Sequence, residues 1–249
     1  MRVRAACCVL FAVSALGLAA AQTSSDAIAV LLNSKNSVSA RAYQTALDRV
    51  SEEAAQGKPL QQFVIGVTTA DKDLSARYLE ASREKIRALA EKTDNPLAWY
   101  LLSMEKNDFR MLRRAANGGN VQALNALGTL ATQEAFSRKA ASTNALEKIL
   151  AKSYGYFRQA ALQRDANGFI NLGTCYLRGF GCRQDMAMAF SCFQAAAELG
   201  HPEGMDNMSA CYQFGHGVRK DNERCLYWAM RGRAARGDEA AAKWLRERK

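Results

Sequence analysis

Ala166–Gly200 reads ANGFINLGTCYLRGFGCRQDMAMAFSCFQAAAELG, and His201–Asp238 reads HPEGMDNMSACYQFGHGVRKDNERCLYWAMRGRAARGD. The second stretch repeats the first. Leu172-Gly173, Cys175-Tyr176, Gly179-Phe180-Gly181 and Asp185 return as Met208-Ser209, Cys211-Tyr212, Gly215-His216-Gly217 and Asp221, with the Tyr, first Gly and Asp pairs each 36 residues apart. A fixed period of this length predicts stacked helix pairs, none of which can bury its apolar face alone.

The chemistry of one copy accounts for its residues. Phe169, Leu172, Cys175 and Tyr176 recur at helical spacing, which predicts a first helix over Ala166–Arg178. Gly173 and Ala166 are small where a neighbouring helix must come close. Gly179 is placed to end the helix in the left-handed conformation, and Gly181 to carry the turn on. Asp185 is placed to cap a second helix over Met186–Leu199, which Gly200 stops. Pro202 begins the next first helix, where its missing N–H costs nothing.

This grammar resembles the Sel-one-like repeat, a relative of the tetratricopeptide repeat. The family pattern is matched by Leu172-Gly173-x-Cys175-Tyr176, Gly179-x-Gly181-Cys182, Asp185, Ala189, Phe193 and Ala196-Ala197-x-x-Gly200. The second copy keeps Gly217-Val218, Asp221 and Trp228, but has Ser209 for Gly and Cys225 for Ala; Gly200 to Gly237 is 37 residues, one more than the period. The resemblance implies an all-α fold, a right-handed α-solenoid of helix-turn-helix repeats. Tyr176 and Tyr212 are expected against their partner helices, and Ala196-Ala197 against the next unit. Some exported relatives join the Ala-Ala end of one helix to the following first helix by a disulfide. The corresponding residues here are Ala197 and Met205, so that bond is lost.

Working outward, residues 1–21 carry Arg2 and Arg4, an apolar run and Ala19-Ala20-Ala21, the layout of a secretory signal peptide. The reading is an exported protein, periplasmic or secreted, with an uncleaved membrane anchor as the alternative. Removing Arg2 and Arg4 takes the formal charge from +10 to +8. Three Pro and 49% hydrophobic residues indicate a folded, helix-dominated chain. Residues 22–94 read as an N-terminal helical region, either degenerate repeats or a cap, with helices over Ser37–Gln56 and Asp71–Lys92. Glu80 with Glu84 and Arg83 with Arg87 give the second of these a charged face expected to be solvated. Phe63–Val67 reads as a short buried stretch. Residues 95–249 form the repeat array, opening at Asp94-Asn95-Pro96 and closing with a capping helix around Ala241, Trp244 and Leu245. Gly128 to Gly173 spans 45 residues, and the excess of nine falls between Ala135 and Ser153.

No residue pattern points to catalysis, a cofactor or a metal. Ser82-x-x-Lys85 and Ser103-x-x-Lys106 match one motif of penicillin-recognising enzymes, but the companion motifs are out of order and that chemistry needs a sheet. A β-lactamase-like activity, attributed to cysteine-rich relatives, stays as a remote alternative. His201 and His216 lie in interhelical turns without ligand partners. Five cysteines follow the signal segment, and Cys211 with Cys225 is the candidate disulfide, the other option being small apolar core residues.

The expected function is binding of a protein or peptide by a non-catalytic scaffold in the cell envelope. The alternative is an envelope enzyme or a cell-wall-binding accessory. Nucleic acid is not an expected partner; Arg219–Lys249, with ten basic and five acidic side chains, reads either as a solvated face or as a contact for an anionic envelope surface or an acidic partner. The candidate peptide-binding residues are those the packing pattern leaves over on each first helix. In the first copy they are Asn167, Asn171, Thr174 and Arg178, one helix face; Asn207 and Phe214 stand one period after Asn171 and Arg178. The resemblance to tetratricopeptide-type arrays implies that this stripe is concave.

Overall fold

The computed structural model describes residues 27–28, 31–32, 40–137 and 143–248, and among them there are twelve helices and no strand. The chain divides into two compact units, with the boundary between Ala123 and Leu124.

The first unit contains α1 (Ala40–Ala55), α2 (Pro59–Thr68), α3 (Lys72–Thr93), α4 (Pro96–Lys106) and α5 (Phe109–Asn117). Phe63–Val67, read as a short buried stretch, is the middle of α2, with Phe63, Val64 and Ile65 buried. A nearly continuous apolar run shows no period, so its burial was readable and its helical state was not. Asp71 caps α3 by accepting from the Asp73 and Leu74 amides, and Asn95 caps α4 by accepting from Ala98. The charged face of α3 is a correction. Arg83 pairs with Glu105 of α4 at 2.6 Å, and Arg87 with Glu84 at 3.2 Å. Spacing along one helix offers the Arg87–Glu84 pair, three positions apart, but could not show Glu105 on the next helix.

Most of the second unit is three helix hairpins. After α6 (Val121–Ser137) come α7 (Thr143–Leu162), α8 (Ala166–Arg178), α9 (Met186–Glu198), α10 (Pro202–Phe214), α11 (Asn222–Ala235) and α12 (Glu239–Arg246). Asp165, Asp185, Asp221 and Asp238 each cap the following helix through a side-chain carboxylate. Gly179 and Gly215 take the left-handed conformation at the ends of α8 and α10, with φ of 72° and 78°. Arg164 takes the same conformation after α7, with φ of 59°, at a position where the later units have Gly200 and Gly237. The nine-residue excess lies in the lengthened α6 and α7; residues 138–142, between them, fall outside the described residues.

Three close approaches fix how the hairpins stack. Within a hairpin, a Cβ on Gly128 would lie 2.5 Å from the Phe157 ring, and one on Gly173 would lie 2.6 Å from the Phe193 ring. Ser209 replaces that glycine in the last hairpin, and its hydroxyl donates to the Cys225 carbonyl at 2.9 Å. Between hairpins, Gly168 seats against Ala160-Ala161 and Gly204, 36 residues on, against Ala196-Ala197. Finally, the second glycine of each turn touches the backbone of the preceding second helix: Gly181 against Leu150, Gly217 against Met186. Tyr176 packs edge-on against Tyr154 and beside Phe193 and Cys192, while Tyr212 packs edge-on against Phe190 and is 5% exposed. Each tyrosine thus bridges its own hairpin and the preceding second helix.

Candidate binding face

The first-helix stripe divides into engaged and unengaged members. Asn171 is half-buried and donates to the side-chain oxygen of Asn125 on α6 at 3.4 Å. Asn125 in turn donates to the Asp165 carboxylate at 2.7 Å, which also accepts from the Gly168 amide. Burial raises the pKa of Asp165 above the ordinary carboxylate value, against the pull of these donors. Asn171 therefore belongs to a clamp between α6 and α8. The Thr174 hydroxyl is also occupied, by the Ile170 carbonyl at 3.0 Å. By contrast, the amides of Asn167 and Asn207 have no side-chain hydrogen bond among the described residues. Arg178 is exposed and unpaired among them, and Phe214 is 56% exposed, stacked on His216 at 5.6 Å.

Beyond the end of that stripe lies a feature the sequence reading missed. Leu177, Arg178, Phe180, Gln184, Met186 and His216 line an open depression of about 460 Å³. Gly217 makes it, because its backbone contact with Met186 brings one turn down onto the start of the previous second helix. Phe180 also meets Phe136 of α6, ring centres 5.1 Å apart, and Phe136 is 55% exposed. Phe180 and His216 are the middle residues of the two Gly-x-Gly turns, where attention to the glycines hides them.

The thiols are structural in character. Cys211 and Cys225 do not form a disulfide; all five described cysteines are free. The Cys225 sulfur lies 3.3 Å from the Ser209 hydroxyl, and Ser209 and Cys211, two positions apart on one helix, project about 200° apart. Burial pushes the thiol of Cys175 up to about 12 and those of Cys192 and Cys211 up to about 11, which keeps them protonated and poor nucleophiles. No group of three or more His, Cys, Asp or Glu able to hold a metal lies among the described residues. The hydroxyls of Ser82 and Ser103 are buried and donate to the Tyr78 and Tyr100 carbonyls, while Lys85 and Lys106 are exposed.

The basic C-terminal stretch has less free charge than its composition implies. Arg224, Arg233, Arg236 and Lys243 each pair with a carboxylate, and Arg231 and Arg248 lie over Trp228 and Trp244. Asp206 and Arg236 flank His201, which is 6% exposed with neither ring nitrogen hydrogen-bonded.

Residues 170–201 and 202–229 match the family model of the Sel1 repeat. The chain carries two Sel1 repeats. Their boundaries fall on α8–α9 and α10–α11, the two hairpins that share the 36-residue period. Sel1 repeats generally form scaffolds that mediate protein interactions. Among solved structures, the chain resembles a Sel1 repeat protein from Oxalobacter formigenes at 23% identity and a TM-score of 0.43, over 51% of this chain and 90% of that one. It also resembles a protective antigen of uropathogenic Escherichia coli strains, displaying an SLR fold, at 18% identity and a TM-score of 0.36. That match covers 80% of this chain and 52% of the antigen, so the alignment spans about half the antigen's length. No curated protein matches the chain.

Proposed function

We propose that the protein is an exported scaffold whose Sel1 repeats hold a protein or peptide segment in the cell envelope, without catalysis, along the exposed face of its first helices. The observation that carries this reading is the pair of unengaged amides, Asn167 on α8 and Asn207 on α10, on the stripe that also holds Arg178 and Phe214. An amide can donate to and accept from a peptide backbone, so two of them on neighbouring first helices suit an extended chain. Phe214 supplies an apolar anchor beside them. Asn171 and Thr174, already engaged, hold the helices in place instead.

The basic segment before Ala19-Ala20-Ala21 supports export, and its removal would leave Gln22 as the first residue. N-terminal sequencing of protein recovered from the envelope fraction tests this directly. For binding, the full chain is screened against displayed peptides. Selected peptides should lose about tenfold or more in affinity with Asn207→Ala plus Phe214→Ala, while Arg110→Ala, on the first unit, changes nothing. Selected peptides that bind both proteins equally would overturn the reading.

A further inference from the structure

The depression between the two repeat turns lies at the end of the hairpins rather than along the first-helix face, and the two share only Arg178. Its walls are apolar: Leu177, Phe180 and Met186, closed on one side by His216. The two turns that frame it, residues 178–185 and 214–221, hold four cations against two carboxylates. Arg178, Arg183, Arg219 and Lys220 are exposed, and none has an ion pair or a side-chain hydrogen bond among the described residues. The nearest carboxylates in sequence, Asp185 and Asp221, accept from the Met188 and Arg224 amides as helix caps, and Asp221 also faces the Arg224 guanidinium. The caps keep their charge, so the two turns carry a net +2, four cations against Asp185 and Asp221. An apolar seat of about 460 Å³ lined by Arg178, with three more unpaired cations on the same two turns, fits one chemistry: carboxylates flanking a single large apolar side chain.

We infer that this turn-to-turn depression is a docking site for an acidic peptide segment of a protein partner. The partner's aromatic side chain sits between Phe180 and Met186, with its carboxylates on Arg178, Arg183, Arg219 and Lys220. The site takes its shape from the stacking of two Sel1 repeats, since one repeat supplies Phe180 and Met186 and the next supplies His216. A lone hairpin lacks it. The inference deepens the scaffold reading by naming a partner chemistry, but it uses a different surface.

The test is a fluorescence-polarisation titration of the full chain with a short labelled peptide of Asp and Glu around one Trp. Control peptides carry Asn and Gln in place of the acids, or Ala in place of the Trp. The acidic Trp peptide should bind, and either control should bind about tenfold more weakly or worse. Arg183→Glu with Arg219→Glu, two exposed positions, should abolish binding, and rising salt should weaken it steeply. Asn207→Ala should leave it unchanged. No binding of the Trp peptide, or full binding by the doubly reversed variant, overturns the proposal. Loss with Asn207→Ala alone also overturns it and returns the peptide to the first-helix face. Vesicles rich in phosphatidylglycerol that displace the peptide, and bind as well without any Trp, would show a general anion surface and overturn it too.

Discussion

The same substitution, Gly→Ala, should have opposite signs at two helical glycines of the second unit. At Gly204 on α10, a Cβ would lie 2.7 Å from the Ala197 amide nitrogen and 2.8 Å from the Ala196 carbonyl carbon. These are backbone atoms of α9 and cannot rotate away, so one helix must move off the other. Overpacking of this kind costs ~1–3 kcal/mol, and rigid neighbours place it in the upper half of that range. Replacing a helical Gly with Ala returns up to ~1 kcal/mol, less in the first turn where Gly204 lies, leaving a net loss of ~1–2 kcal/mol. For a chain of this length that lowers the thermal midpoint by roughly 2–8 °C. At Gly155 on α7 nothing lies within 4 Å of the added Cβ, so only the gain remains. Gly155→Ala should raise the midpoint by roughly 2–4 °C. Thermal melts by far-ultraviolet circular dichroism, with urea midpoints alongside, measure both. A Gly204→Ala protein that melts at or above the parent, or two variants that shift in the same direction, would refute the stacking argument.

Gly173→Leu drives a larger side chain into the Phe193 ring and should cost ~1–3 kcal/mol in urea unfolding, with Gly155→Leu as the control. Asp165→Ala should cost more than Asp221→Ala, because each loses a cap worth ~1 kcal/mol but only the first also strands Asn125. His201 is held neutral, its pKa lowered to about 4 by burial first and Arg236 second, with Asp206 opposing. The unfolded chain protonates this histidine near 6.5, so its share of stability is whole above that pH and is lost as pH falls toward 4. Urea midpoints across that window should fall more for the parent than for His201→Gln. In the reduced protein, an aromatic disulfide reagent should label half-buried Cys182 and Cys225 ahead of buried Cys175, Cys192 and Cys211. Labelling of Cys211 as fast as Cys182 would contradict the packing.

The parts of the fold legible in the sequence are those whose cause is local. A cap needs an acidic side chain next to its own helix, and a left-handed turn needs a glycine, so Asp185, Gly179 and Gly200 could be read directly. Arg164 shows the limit, since it takes the glycine conformation with nothing in its residue type to announce it. Contacts between hairpins were less readable. Gly168 and Gly204 obey the period but were passed over, because the ends of a helix offer several small residues and only packing selects among them. The link from Asn125 to Asp165 spans 40 residues and sits where the period is broken by the long α6 and α7, so repeat register could not have found it. The stripe was readable as a face, but which amides are free depends on the neighbouring helix.

The contact between Gly217 and Met186 also bears on how such a chain can change over time. It is made by the carbonyl and α-carbon atoms of Met186 and Ala187, so the identity of side chain 186 does not enter it. The hairpins keep their spacing whichever residue stands there. Position 186 nonetheless faces the depression, together with the middle residues 180 and 216 of the two turns. Selection can therefore rewrite what the depression accepts through side chains 186 and 216, whereas Phe180 also packs against Phe136 and the core beneath it. The repeat separates the atoms that keep the protein folded from those that choose a ligand.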